Sequence, residues 1–237
     1  MDFLRIIRSL EDLLYELIAW LVFYPRTLAR ILLHPRQMLQ YSDAELTDTP
    51  DEQYNDTLSP PLFLMLTVLI GHGIELAAGE AIIQPKGAVG QMLFGSEQNL
   101  LLMRSLQFSI YALVGATALL HRRHIALNRR NLRAPFYAQC YLAAPFGLGL
   151  SCAAVLTRLP QLSWKLAGLA LFVTSIVWYV WVLADWFRRQ LSRSGSAHAG
   201  AVPGPAIGRA AAIALWCFVQ GALCNAVINT LFGTIRS

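Results

Sequence analysis

The stretch His121–Arg133, HRRHIALNRRNLR, sets five arginines (Arg122, Arg123, Arg129, Arg130 and Arg133) between two long apolar segments. An arginine at the centre of a bilayer costs at least about 2.5–3.5 kcal/mol on the most lenient scale, so this cluster stays out of hydrocarbon. Short arginine-rich connections also mark the cytoplasmic face of a membrane protein. Fixing this loop inside gives every neighbouring apolar segment a direction.

Composition agrees with that reading. Of 237 residues, 56% are hydrophobic and only 14% charged, against about 25% charged in a soluble domain. The formal charge of +5 does not point to nucleic acid, because the basic residues cluster at the ends of apolar runs rather than along one polar face. Cys140, Cys152, Cys217 and Cys224 lie inside apolar segments without metal or redox spacing, and read as small apolar packers.

Outward from the loop, five segments are long enough to cross about 30 Å of hydrocarbon. They run over residues 60–79, 99–120, 134–157, 164–187 and 207–232. No alternation of apolar and polar residues persists through them, so helices, which satisfy their own backbone, are expected rather than strands. Lysines and arginines support the threading. Five precede Pro60, five occupy 121–133 and four lie in 188–209, while Lys86, Arg158, Lys165 and Arg236 fall on the other side. That bias places the amino terminus inside and the carboxyl terminus outside. Trp164, Trp178, Tyr179, Trp181 and Trp186 are expected to anchor the fourth span at its ends.

Residues 1–42 precede the spans. Apolar positions Phe3, Ile6, Ile7, Leu10, Leu14 and Leu17 recur on one helical side, with charges on the other. Pro25 is expected to break this helix and Pro35 to end a second short piece. An interfacial elbow follows, with Arg26, Arg30 and Arg36 reaching head groups; a helix packed on a partner protein is the alternative. Residues 43–59 carry Asp43, Glu45, Asp48, Asp51, Glu52 and Asp56 without a base, and are expected to form an extended, solvated linker. The whole reads as an all-α integral membrane protein: five transmembrane helices in 60–237 behind an amphipathic elbow and an acidic linker. The loop 80–98 is expected to be either re-entrant or plain, and 192–205 a flexible linker.

Glu75 lies about 22 Å into the first outward span, and Arg104 enters the returning span at a comparable depth. An unpaired charge there is costly, which predicts a Glu75–Arg104 ion pair. His72 and Gln107 share those faces by i, i+3 spacing. Gln220, Asn225 and Asn229 add amides in the fifth span, and the seven form either a polar pathway or helix–helix glue. Asp185 is expected to pair locally with Arg188 and Arg189. Gly147, Gly149 and Ser151, with Gly208, Ala212, Gly221 and Ala222, are expected at close helix contacts, and Pro145 to kink the third span.

The pieces Ser59-Pro60-Pro61-Leu62-Phe63 and Cys140-Tyr141-Leu142-Ala143-Ala144-Pro145 give the chain its resemblance to the Yip1-like membrane proteins. The second is similar to that family's tyrosine-x-x-x-proline pattern, carried here by Tyr141 and Pro145. The resemblance implies five spans, a cytoplasmic amino terminus and a short external tail. Yip1-like proteins in eukaryotes associate with membrane-traffic GTPases, and bacterial relatives are often labelled permeases.

Without a phosphate loop, metal-ligand spacing or nucleophile–base motif, the expectation is a non-enzymatic protein with no cofactor or metal. It would organise lipids or dock protein partners in a bacterial inner membrane, the source indicated by the Ala-, Leu- and Arg-rich composition. Anionic head groups would meet Arg26, Arg30, Arg36, Arg122, Arg123, Arg129, Arg130 and Arg133. The alternative is a permease passing protons or a small solute through the polar cluster. Five helices are few for a transporter, so a homo-oligomer or a membrane complex is expected.

Overall fold

The computed structural model describes residues 2–49, 52–79, 84–85, 87–195 and 204–234. Its elements in chain order are α1 (Asp2–Leu33), α2 (Pro35–Glu45), α3 (Pro60–Ala77), β1 (Gln84–Pro85), α4 (Gly87–Phe94), α5 (Glu97–Arg122), α6 (Arg129–Arg158), α7 (Leu162–Gly195), α8 (Gly204–Phe232) and β2 (Gly233–Thr234). Five of these helices, α3, α5, α6, α7 and α8, are long and apolar enough to cross a membrane, and the chain is an all-α, multi-pass integral membrane protein. The two-residue strands pair antiparallel, Gln84 opposite Thr234, tying the chain before α4 to the end of α8.

Local chemistry sets the boundaries. Ser59 and Pro60 start α3, with proline at a position whose N–H needs no partner. Ser96 Oγ accepts from the Asn99 N–H at 3.2 Å to cap α5, and Asn128 Oδ1 accepts from the Asn131 N–H at 2.8 Å to cap α6. Between those two helices, His124 takes a left-handed φ of 53° and the Ile125 N–H returns to the Leu120 carbonyl at 3.0 Å, closing the last turn of α5. The arginine-rich stretch is therefore mostly helix end, and Arg129, Arg130 and Arg133 occupy the first turns of α6.

α6 lies against α3, α5 and α7, while α8 closes on α5 and α7. Its buried stretch includes Ala138, Ala143, Ala144, Gly147 and Ala153, and small side chains let neighbouring backbones approach. A Cβ on Gly149 would lie 2.2 Å from Ser175 Oγ of α7, and one on Gly221 would lie 2.4 Å from the Tyr111 ring. Gly71 would meet Ser151 Oγ at 2.9 Å. Gly208, by contrast, faces open space, while Ala210 and Ala214 carry the buried small-residue surface of the early turns of α8. At the crossing of α5, α6, α7 and α8 the rings of Phe146 and Tyr179 stack 4.7 Å apart, with Tyr111 5.3 Å from Phe146. α6 runs through Pro145 as one helix.

Three expectations change. Pro25 does not break α1, which continues to Leu33. The turn after the proline is held by packing: Thr27 and Ile31 are fully buried, and the Tyr24 ring sits 5.4 Å from Phe63. That half of α1 rests on the bundle, whereas Leu14, Ile18 and Leu21 of the first half are exposed. The acidic stretch is a run of turns rather than an extended linker, with Tyr54, Thr57 and Leu58 buried. Trp186 and Tyr179 are core residues; only Trp164 and Trp181 present rings to the outside as anchors would. Residues 196–203 and the tail beyond Thr234 lie outside the described residues.

Candidate functional site

α3 and α5 bring their charges together. Arg104 Nη1 donates to Glu75 Oε2 at 2.5 Å, and both side chains are largely withdrawn from the surface. His72, one turn before Glu75, is buried, as is Gln107, one turn after Arg104. The amide of Asn225 on α8 donates to the Gln107 carbonyl at 3.1 Å and to its own helix at Gly221 at 3.0 Å. Gln220 is half-buried on the same helix; the Asn229 side chain lies outside the described residues. So α3, α5 and α8 share one string of polar groups near the end of the bundle away from the arginines. Glu75 and Arg104 bond to each other and Asn225 to backbone carbonyls, an arrangement that fixes helices in register.

The arginine end is more open. Arg26, Arg122, Arg129 and Arg130 are exposed and Arg30 is half-buried. Three others have partners within the chain. Arg123 donates to the Gln190 side-chain oxygen at 2.7 Å. Arg133 donates to Gln53 Oε1 at 3.0 Å and lies over the Tyr137 ring at 5.3 Å. Arg36 forks onto Asp185 at 3.0 and 3.3 Å while stacking over Trp181. Asp185 also accepts from Arg188 at 2.6 Å and Arg189 at 2.8 Å. The local pairing of Asp185 is as expected, and Arg36 adds a link from α2 to α7.

The turns of the acidic stretch cover this end of α6. Glu45 accepts from the Tyr54 N–H, and the Tyr54 ring stands 6.4 Å from Tyr41 and 6.3 Å from Tyr137. Burial pushes the Tyr54 phenol up to about 12, and raises those of Tyr41 and Tyr24, because a phenolate loses its water there. Leu58 anchors the same segment through a 3.2 Å bond from its N–H to Thr27 Oγ1.

Between α5, the start of α6 and the far part of α8 lies a cavity of about 600 Å³. Apolar side chains dominate its wall, including Leu106, Ile110, Leu113 and Phe136, and Arg129 and Arg133 stand at one end. Nothing in the sequence spacing announced this groove, because three helices contribute to it. Gln139 was missed as well. It is fully buried on α6 beside Gly115, and neither amide atom has a partner among the described residues; its place inside the apolar segment 134–157 is the available signal.

Among the described residues no three His, Cys, Asp or Glu side chains converge as metal ligands would, and the described cysteines are free thiols. Comparison with protein-family models, with curated proteins and with solved structures finds no match to this chain.

Proposed function

We propose that this protein is a non-enzymatic, Yip1-like membrane organiser that gathers anionic lipid at its arginine-rich end and offers that face to protein partners. The observation that carries the reading is the placement of Arg122, Arg129 and Arg130, exposed together where α5 ends and α6 begins. Each basic residue near an anionic surface contributes about 1 kcal/mol. In this reading the membrane is the bacterial inner membrane, the arginine end is cytoplasmic and the tail is periplasmic. The same surface in an oligomer would multiply the charge.

The polar string of α3, α5 and α8 supports this over transport. Glu75 and Arg104 satisfy each other, and the Asn225 amide is taken up by backbone carbonyls. Apolar side chains dominate the wall of the 600 Å³ cavity between its arginine end and Met103, which suits a hydrocarbon chain better than a hydrated solute. The test is to excise the full chain from its membrane in polymer-bounded native particles and compare bound lipid with bulk lipid. Enrichment in acidic phospholipid is expected, and a composition equal to bulk rejects the proposal.

A further inference from the structure

The cavity between α5, α6 and α8 has the form of a seat for a single lipid. Its wall runs along one stripe of α5, through Leu113, Ile110 and Leu106 to Gln107, positions at the i, i+3 and i+4 spacing of a single helix face. At the head of the stripe, Arg129 and Arg133 are one turn apart on α6, and Leu132 and Phe136 carry the wall between them and α5. The first turn of α6 contains no carboxylate, so the positive end of the helix adds to the two guanidinium charges. Gln53 takes one N–H from Arg133, out of the five donors that a guanidinium carries.

The dimensions fit one leaflet. α5 and α6 are antiparallel neighbours joined by the short loop after Arg122. The α5 wall of the groove, from Leu113 to Met103, is about ten residues, or about 15 Å. Half of the hydrocarbon core is also about 15 Å deep. A second copy of the chain is the other occupant to weigh. Two copies in one membrane share an orientation, so a two-fold contact through this groove would set Arg129 and Arg133 against their own equivalents. Like charges at that depth oppose the pairing, whereas a phosphate complements it.

We propose that the groove binds one anionic phospholipid, with its phosphate between Arg129 and Arg133 and an acyl chain along the α5 stripe. This rests on the lipid-organising reading and narrows it from a charged surface to a stoichiometric site. The occupant also gives Leu106 and Leu113, both exposed, a fixed neighbour in place of fluid lipid.

Native mass spectrometry of the full chain in detergent, with dioleoyl-phosphatidylglycerol or dioleoyl-phosphatidylcholine added, tests it. The wild type should retain one phosphatidylglycerol in preference to phosphatidylcholine. Arg129→Gln with Arg133→Gln should cut that retention by about tenfold or more, while Arg26→Gln with Arg30→Gln, two charges outside the groove, lowers it by a clearly smaller factor. Ile110→Trp, which fills the groove without touching a charge, should lower retention of both lipids. Equal loss from the two arginine pairs overturns the seat but leaves the general lipid reading standing. No loss from either pair overturns both. Full retention by Ile110→Trp, or a disulfide dimer formed through Leu113→Cys in the wild-type background, also overturns the seat, the latter in favour of a second copy.

Discussion

The phenol of Tyr141 donates to the Leu58 carbonyl at 2.7 Å, across 83 residues of chain. Its oxygen also lies 3.4 Å from Thr57 Oγ1, and its ring stands 5.8 Å from Phe63. The segments around Ser59 and around Tyr141 therefore meet in space. Tyr141 ties the entry of α3 to the middle of α6 at a point with no exposure to solvent. Tyr141→Phe keeps the ring and removes the donor, leaving a buried carbonyl short of a partner. The loss should be about 1–3 kcal/mol, read as a lower midpoint in denaturant or thermal unfolding of the detergent-solubilised chain. An unchanged midpoint would mean that this bond contributes nothing to holding the two segments together.

Glu75 and Arg104 form the second long-range tie, and their worth is best measured as a cycle. Arg104→Gln strands a carboxylate among apolar helices, and breaking a buried pair from one side costs about 3–5 kcal/mol. Glu75→Gln strands the guanidinium in the same way. The double variant removes both charges and should recover much of the loss, because two amides in contact bond to each other at far lower desolvation cost. Strict additivity of the two single losses in unfolding experiments would show that the groups do not act as a pair.

Why this pair was legible, and the groove was not, comes down to how far each depends on local information. Depth along a helix follows from counting residues, which is enough to match Glu75 with Arg104. The spans were found by the same arithmetic, and Ser96 and Asn128 mark two of their starts in plain view. Asp185 shows the limit. Its bonds to Arg188 and Arg189 lie within one turn, but Arg36 is 149 residues away and no periodicity links them. The acidic stretch misled because charge density says solvated, while three insertions, Tyr54, Thr57 and Leu58, anchor it to the bundle. Trp186 and Tyr179 misled in the opposite sense, since aromatic residues suit both a membrane interface and a helical core.

The tyrosines of that stretch give the fold a pH dependence outside the membrane-spanning helices. Tyr54 is neutral when buried, and its ionisation is pushed up to about 12 from the ordinary value of 10.0. Between those values an unfolded chain releases the proton and the folded chain keeps it. The stability that the buried phenol contributes is complete below pH 10 and is lost as pH rises towards 12. Unfolding midpoints recorded from pH 9 to 12 should fall, and Tyr54→Phe should flatten part of the slope. A slope identical in wild type and variant would assign the alkaline loss to other groups.

Arg36 and Asp185 join the amphipathic front of the chain to the bundle through a carboxylate shared by three guanidinium groups. The arginines are 39–49% exposed and the Asp185 side chain only 10%, so each pair is screened and worth at most about 1 kcal/mol. All three nevertheless share one acceptor, so the Arg36 link from α2 to α7 depends on Asp185. Asp185→Asn removes the charge that all three arginines share, and repulsion between Arg36 and the Arg188–Arg189 pair then works against docking. Amide exchange over residues 35–45 should accelerate several-fold, while α7 keeps its protection because its own backbone bonds are untouched. Arg188→Gln is the matched control: it lies on α7 beside Asp185 but does not reach α2, and should leave exchange in α2 near wild type. Equal acceleration in both variants would show that α2 responds to the net charge of this end and not to the Arg36–Asp185 contact.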